Sequence, residues 1–93
     1  MPTARARHIL VPTEEQAVSL KAEIAAGADF ADVAAEHSTC PSSARGGDLG
    51  EFQPGMMVKE FNDVCFNDEV GVVHGPVKTQ FGYHLIEVTK RDE

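Results

Sequence analysis

Residues 75–88 read GPVKTQFGYHLIEV, and this stretch decides the fold. Residues 83–88 are the clearest strand in the chain. Because side chains alternate along a strand, His84, Ile86 and Val88 are predicted to share one face. A shorter strand is predicted at 77–79, and Gly82 marks a tight turn between the two. Strands joined by so tight a turn run antiparallel, so the C-terminal segment predicts a hairpin.

The residues before this hairpin alternate between strand and helix patterns. The stretch RARHILV predicts a strand that places His8 and Leu10 on one face and stops before a proline. Thr13 and Gln16 resemble a capping box at the start of a helix. The predicted elements are a strand at 5–11, helices at 13–27 and 29–37, a loop at 38–47, a short strand at 48–52, a helix at 58–67 and the hairpin strands.

This order, β-α-α-β-α-β-β, predicts an α+β fold in which helices pack on a mostly antiparallel sheet. The chain has 93 residues, which suits one small domain over residues 1–93. No internal repeat, low-complexity tract or linker interrupts it. A four-stranded sheet is therefore the expected core.

Composition narrows the classes of partner. The net charge of −7 argues against nucleic acid and against anionic membrane surfaces, which both attract basic proteins. No stretch approaches the roughly 20 apolar residues that a membrane-spanning helix needs. A monomer is the expectation, because no exposed apolar stripe is evident in the sequence.

The cysteines and histidines indicate neither disulfides nor a metal. Cys40 and Cys65 are too few for a disulfide framework, and the N-terminal residues show no apolar leader. Reduced thiols in the cytoplasm are the expectation, with Cys65 in the core. His37 is expected on the surface at a helix end and His74 in a surface loop. The spacing of histidines and cysteines matches no zinc motif, so no metal is expected.

Six short motifs give the chain its family resemblance. In this order and spacing they resemble the parvulin family of peptidyl-prolyl cis/trans isomerases, in particular its small single-domain members. The motifs are HILV at 8–11, GADF at 27–30, RGGDLG at 45–50, GMMV at 55–58, GPV at 75–77 and FGYH at 81–84. The resemblance implies a four-stranded antiparallel sheet surrounded by helices, as in parvulin and FKBP-like domains. It also implies isomerisation of X-Pro bonds in proline-containing polypeptides, without a cofactor.

The resemblance also implies a substrate pocket on one face of the sheet. It assigns two sets of residues, one polar and one apolar. The polar, catalytic set is His8, Cys40, Thr79 and His84. The substrate-binding set that encloses the proline ring is Leu49, Met57 and Phe61, with Phe81 close by.

The residues themselves leave other interpretations open. His8 and His84 are either core histidines that fix the strand register or participants in the chemistry, and a fixed hydrogen-bond network serves both roles. Cys40 is a nucleophile, an electrostatic element or a packed residue, and the non-covalent roles are favoured because no base lies near it in sequence. Met57 and Phe61 lie four apart and meet on one face, which is also ordinary in a core.

Two other functions compete with the isomerase. One is a chaperone-like module that binds proline-containing segments with little turnover. The other is a cysteine-dependent hydrolase, for which an oxyanion motif and a clear base are lacking. If the domain is an isomerase, the sequence predicts no preference for phosphorylated residues before proline, because Glu14 and Glu15 follow the first strand where a basic cluster would be needed.

Overall fold

The computed structural model describes residues 3–92, which form one four-stranded sheet with helices on both faces. The strand order is β2-β1-β4-β3 and all three pairings are antiparallel, so the predicted α+β fold is confirmed. No helix in this part of the chain is long and apolar enough to cross a membrane. The elements are β1 (Thr3–Val11), α1 (Glu14–Ala25), α2 (Phe30–His37), a 3₁₀ helix (Pro41–Arg45), β2 (Asp48–Phe52), α3 (Lys59–Asn67), β3 (Val73–Thr79) and β4 (Gly82–Asp92).

Alternation along the central strands β1 and β4 separates two apolar cores. Ile9 and Leu85 face α1 and α2, whereas Ile86 faces α3. His8 and Leu10 lie on the α3 side, as the strand pattern predicts. The buried residues of the first core are Ile9, Val11, Ala17, Leu20, Phe30, Val33, Ala34 and Leu85. Those of the second are Ala4, Ala6, Phe52, Phe61, Val64, Cys65, Ile86 and Val88.

The first two helices begin where the sequence predicts, and each has a side-chain cap, of which only Thr13 was predicted as one. The Thr13 hydroxyl accepts a hydrogen bond from the backbone N–H of Gln16, 3.2 Å away, at the start of α1. Asp29 caps α2 in the same way, because its carboxylate accepts from the N–H of Ala31 at 2.8 Å. Each bond satisfies a donor that would otherwise lack a partner in the first turn of the helix.

Several predicted limits are wrong. Strand β1 begins at Thr3 rather than at residue 5, and β4 continues to Asp92 rather than ending at residue 88. The predicted loop at 38–47 contains the 3₁₀ helix, which Pro41 can begin because its fixed φ suits a first helical position. Strand β3 begins at Val73 rather than after the Gly-Pro pair at 75–76. It lies at the sheet edge, where a register shift accommodates proline. His74 therefore lies in a strand and not in a loop.

Candidate active site

A cavity of about 380 Å³ opens on the α3 side of the sheet. It collects side chains from both central strands, the segment before the 3₁₀ helix, β2, α3 and the β3–β4 turn. No Asp, Glu, Lys or Arg is among its lining residues. These are His8, Leu10, Thr39, Cys40, Pro41, Leu49, Met57, Val58, Phe61, Phe81 and His84.

Backbone pairing holds the two histidines side by side. His8 pairs with Ile86 across β1 and β4, and Leu10 pairs with His84, so the histidine side chains project from the same face of adjacent strands. The N–H of His8 also donates to the carbonyl of Gly47 at 2.9 Å. A Cβ at Gly47 would lie 2.3 Å from the His8 carbonyl oxygen, so only glycine permits this approach.

The histidines form a buried chain of hydrogen bonds. Nδ1 of His8 lies 2.9 Å from Nδ1 of His84, and Nε2 of His84 lies 2.7 Å from the Thr79 hydroxyl. That hydroxyl accepts from the N–H of Phe81 at 3.1 Å, so it has its own hydrogen free to donate to His84. In this arrangement His84 donates through Nδ1, and His8 accepts through Nδ1 and carries its proton on Nε2. Nε2 of His8 is buried without a hydrogen-bond partner among residues 3–92.

Both histidines are neutral at pH 7. Burial, and secondarily the neighbouring His84, lower the pKa of His8 to about 4. Burial also lowers the pKa of His84, and the carboxylate of Glu60 opposes that shift. Desolvation disfavours the charged imidazolium, so the network is uncharged when it faces a substrate.

Cys40 reaches the cavity on a segment that is tied to β1. The N–H of Thr39 donates to the Leu10 carbonyl at 2.8 Å, and the Ser38 hydroxyl accepts from the N–H of Leu10 at 3.0 Å. Cys40 is a free, half-buried thiol. Within residues 3–92 its sulfur makes no hydrogen bond to a base, and both ring nitrogens of His84 are already engaged. The structure therefore shows no group positioned to remove the thiol proton.

The apolar wall is built mainly by α3 and β2. Phe61 is 4% exposed and contacts both histidine rings edge-on, with centroid separations of 5.5 Å to His8 and 5.8 Å to His84. Leu49 and Met57 are partly buried against the same core. Phe81 is 62% exposed at the rim. These side chains leave an open apolar cavity whose floor is polar.

Seven of the eight residues that the resemblance assigned to the site line this cavity, and the eighth lies behind it. Thr79 does not line the cavity but holds His84. Their catalytic and binding roles stay predictions. Sequence reasoning did not assign Thr39 and Pro41, which have no pattern of their own, to the site. It also did not assign Val58, the last residue of the GMMV motif, or Leu10, which shares the His8 face, and both could have been named.

The site contains no set of metal ligands. Among residues 3–92, no group of three or more His, Cys, Asp or Glu residues could hold a metal ion. His37 and His74, which are half-buried, are not part of the cavity lining.

Comparison with known proteins connects this geometry to a family. The family profile described as the PPIC-type PPIase domain, a peptidyl-prolyl isomerase domain, matches residues 2–92. The chain belongs to the PPIC-type peptidyl-prolyl isomerase domain family. The parvulin resemblance is confirmed, and so is its implication of an isomerase domain.

Relatives of this PPIC-type domain include both long and short proteins. It is 50% identical to the foldase protein PrsA of Geobacillus sp. (strain WCH70) over 93 residues, which are 99% of this chain and 34% of that protein. The crystal structure of PrsA from Bacillus cereus superposes with a TM-score of 0.92 at 46% identity, covering 99% of this chain and 36% of that one. The chain thus spans about a third of these relatives. The parvulin NmPin of Nitrosopumilus maritimus has a TM-score of 0.83 at 38% identity, with 95% of this chain and 96% of that one covered.

Proposed function

We propose that this domain catalyses cis/trans isomerisation of X-Pro bonds in polypeptides and thereby assists their folding. The observation that carries the proposal is the apolar cavity with a neutral, hydrogen-bonded histidine pair at its floor. Relatives named foldase contain a segment 50% identical to this chain, which supports a role in folding.

The cavity suits a reaction that breaks no bond. Rotation about the peptide bond has a barrier of about 18–20 kcal/mol because the twisted amide loses resonance. Loss of resonance also reduces charge separation in the amide, so apolar walls favour the twisted state over either planar isomer. Each 1.4 kcal/mol or so of such preference raises the rate about tenfold. Leu49, Met57 and Phe61 hold the proline ring while the bond rotates.

The histidine network contributes to catalysis because its hydrogen bonds fix the positions of both rings. His8 and His84 are joined to each other and to Thr79, so neither ring can turn without breaking a hydrogen bond. A preorganised polar floor needs no rearrangement as the amide twists.

The substrate residue before proline is uncharged. The cavity lining contains no cation that would bind a phosphate dianion, and the first turn of α1, just after β1, carries Glu14 and Glu15 in place of a basic cluster. Turnover of matched Leu-Pro and phosphoserine-Pro peptides tests this proposal. We expect the Leu-Pro peptide to turn over faster, and a strong preference for the phosphorylated peptide would refute it.

A protease-coupled cis/trans assay on a short X-Pro peptide tests the activity itself. The isomerase accelerates the slow phase in proportion to its concentration, whereas a chaperone-like binding module binds the peptide without accelerating it. Measuring peptide binding in parallel separates the two. Binding without acceleration would replace the isomerase with the binding module.

The domain is further proposed to act as a monomer in the cytoplasm. The compartment is supported by Cys40 and Cys65, which are both free thiols that a reducing environment preserves. The monomer rests on the sequence, in which no exposed apolar stripe is evident. Sedimentation of the purified chain tests the monomer. Fractionation of the source cells, followed by thiol labelling, tests the compartment.

A further inference from the structure

A second cavity of about 270 Å³ carries three of the eight basic residues of this acidic chain. Side chains from β1, α2, β2 and β4 meet there at the end of the 3₁₀ helix. None of its lining residues lines the histidine cavity. The lining is Arg5, Arg7, Ala31, Arg45, Gly46, Asp48 and Thr89.

The three arginines differ in how strongly each one is already paired with an acidic side chain or an aromatic ring. Arg7 forms an ion pair with the largely buried Glu87, and its guanidinium lies 4.6 Å from the centre of the Phe30 ring. Arg5 has a long contact of 3.9 Å with Asp48, in which both side chains are about half exposed. An exposed ion pair of this kind contributes little to the free energy of folding.

Of the three arginines in this cavity, Arg45 is the one without a charged partner among the described residues. Its side chain is exposed and makes no ion pair or hydrogen bond with residues 3–92. Of the other charged groups nearby, Lys90, opposite Arg5 in the sheet, pairs with Asp92 at 3.6 Å, and Glu51, opposite Arg5 on β2, is exposed.

Arg45 is also held in place by its backbone. Gly46 follows it with φ of 66°, and a Cβ there would lie 2.7 Å from Cβ of Ala31, so the end of the 3₁₀ helix sits directly on α2. The N–H of Gly46 donates to the Ser43 carbonyl at 3.1 Å and closes the last turn. A guanidinium positioned in this way, with a second one across the cavity, is suited to bidentate recognition of a carboxylate.

The 3₁₀ helix connects this cavity to the histidine cavity. Pro41 at its start lines the histidine cavity and Arg45 at its end lines the second. A 3₁₀ helix rises about 2 Å per residue, so the two residues are separated by roughly 8 Å along its axis. An extended polypeptide advances about 3.3 Å per residue. The axial separation alone corresponds to about two to three extended residues. The path around the edge strand β2 is longer, so we expect about three to five residues between the two cavities.

We infer that the second cavity binds an acidic side chain of the same polypeptide whose X-Pro bond occupies the histidine cavity, about three to five residues from the proline. This inference rests on the proposed function for the identity of the bound segment. It names a substrate class, proline-containing segments with a nearby Asp or Glu. The whole chain carries 15 acidic and eight basic residues, so a cavity lined by three arginines and one aspartate is a local exception to its overall charge.

Binding of labelled peptides by fluorescence anisotropy tests the inference without requiring turnover. The peptides carry one X-Pro bond and a single Glu, or its neutral isostere Gln, at distances from two to eight residues on either side. At low ionic strength we expect the Glu peptide to bind about three- to tenfold more tightly than the Gln peptide at a spacing of three to five. We expect that advantage to fall sharply at about 0.15 M salt, where the Debye length is about 8 Å.

The variant Arg45→Gln should abolish the Glu advantage and leave binding of the Gln peptide unchanged. The matched control is Lys78→Gln, which removes one exposed positive charge on β3, the strand at the opposite edge of the sheet, and should keep the advantage. Equal binding of Glu and Gln peptides at every spacing would overturn the inference, as would an advantage that survives Arg45→Gln.

Two further arms identify the source of the carboxylate. A Glu peptide without proline and free N-acetylglutamate should both bind far more weakly than the peptide with both features. If either binds as tightly, the cavity recognises an independent acid and the inference is wrong. If peptides bind with the expected Glu advantage but the isomerase assay is negative, the inference stands and the proposed activity fails.

Discussion

At the scale of single residues, Cys40 decides between covalent and non-covalent catalysis. Its thiol lines the cavity, but neither histidine accepts a hydrogen bond from it in the structure. We expect Cys40→Asp to keep activity within about tenfold of the wild type, since a carboxylate keeps a negative charge near the bond but is a poor nucleophile towards an amide. Kinetics on the folded variant measure this.

If Cys40 were instead the nucleophile, the activity of its variants and the mass of the enzyme during turnover would differ from these expectations. Cys40→Ser should then lose nearly all activity, because a hydroxyl without a base is a weak nucleophile. For the non-covalent role that we expect, mass spectrometry of the wild type during turnover should instead show no adduct with substrate. A folded but inactive Cys40→Asp, together with a mass increase on the wild type, would make Cys40 the nucleophile.

His8 makes the stability of the domain depend on pH. Its pKa is about 4 in the folded chain and near 6.5 when exposed, so below pH 6.5 the unfolded state binds a proton that the folded state does not. The resulting stability is present above pH 6.5 and is lost as the pH falls towards 4, on the order of 3 kcal/mol in all. The lowered pKa of His84 adds in the same direction.

Urea unfolding between pH 7 and pH 5 measures this dependence. His8→Leu should be less stable at pH 7 because Nδ1 of His84 loses its partner, but its stability should fall less steeply with acid. His37→Gln is the control, since His37 lies at the end of α2 outside the network, and it should keep the wild-type slope. An unchanged slope in His8→Leu would contradict the burial argument.

At the scale of elements, the start of α3 offers a matched pair of methionines. Met57 lines the cavity, whereas its neighbour Met56 is 65% exposed and does not. We expect Met57→Ala to lower kcat/KM about tenfold or more, because it removes apolar contact with the proline ring. Met56→Ala should stay within about twofold of the wild type. Similar losses in the two variants would refute the assignment of Met57.

Phe61 belongs to the same apolar wall of the cavity as Met57, but it is also part of the hydrophobic core. It packs against Phe52 at a centroid distance of 6.2 Å as well as against the histidines. Truncation to alanine therefore costs about 3–5 kcal/mol in addition to any loss of binding. Phe61→Leu is the better probe, and we expect lower kcat/KM with a circular dichroism spectrum like that of the wild type. Full turnover by a folded Phe61→Ala or Phe61→Leu would remove Phe61 from the site.

At the scale of the whole molecule, two apolar cores share one sheet. Val33 on α2 belongs to the core away from the cavity, and Val64 on α3 belongs to the core beneath it. Val33→Ala and Val64→Ala should each cost about 1.5 kcal/mol, with additive effects, because the sites lie on opposite faces. Thermal unfolding should remain a single transition that shifts by several degrees per variant.

The same pair separates stability from activity. Below the transition, Val33→Ala should keep the wild-type kcat/KM, because no residue of α2 lines the cavity. Two separate unfolding transitions in Val64→Ala would show that α3 folds independently of the sheet, against the shared-core description.

The sequence by itself determined the elements and the faces of the central strands. Alternation in residues 83–88 placed His84 with Ile86, and the capping residues Thr13 and Asp29 located two helix starts. These signals are local, since they depend on the period of side chains along one element or on hydrogen bonds within one turn. The family resemblance added the site, and the cavity gathers seven of the eight residues that it assigned, with Thr79 behind them.

Only the tertiary structure decided how those residues interact. His8 and His84 are 76 positions apart, so their hydrogen bond depends on the register of β1 against β4 and not on any local pattern. The approach of Arg45 to Arg5 likewise depends on the packing of the 3₁₀ helix against α2. Contacts between distant segments are set by the joint packing of several elements, and a period along one segment carries no information about them.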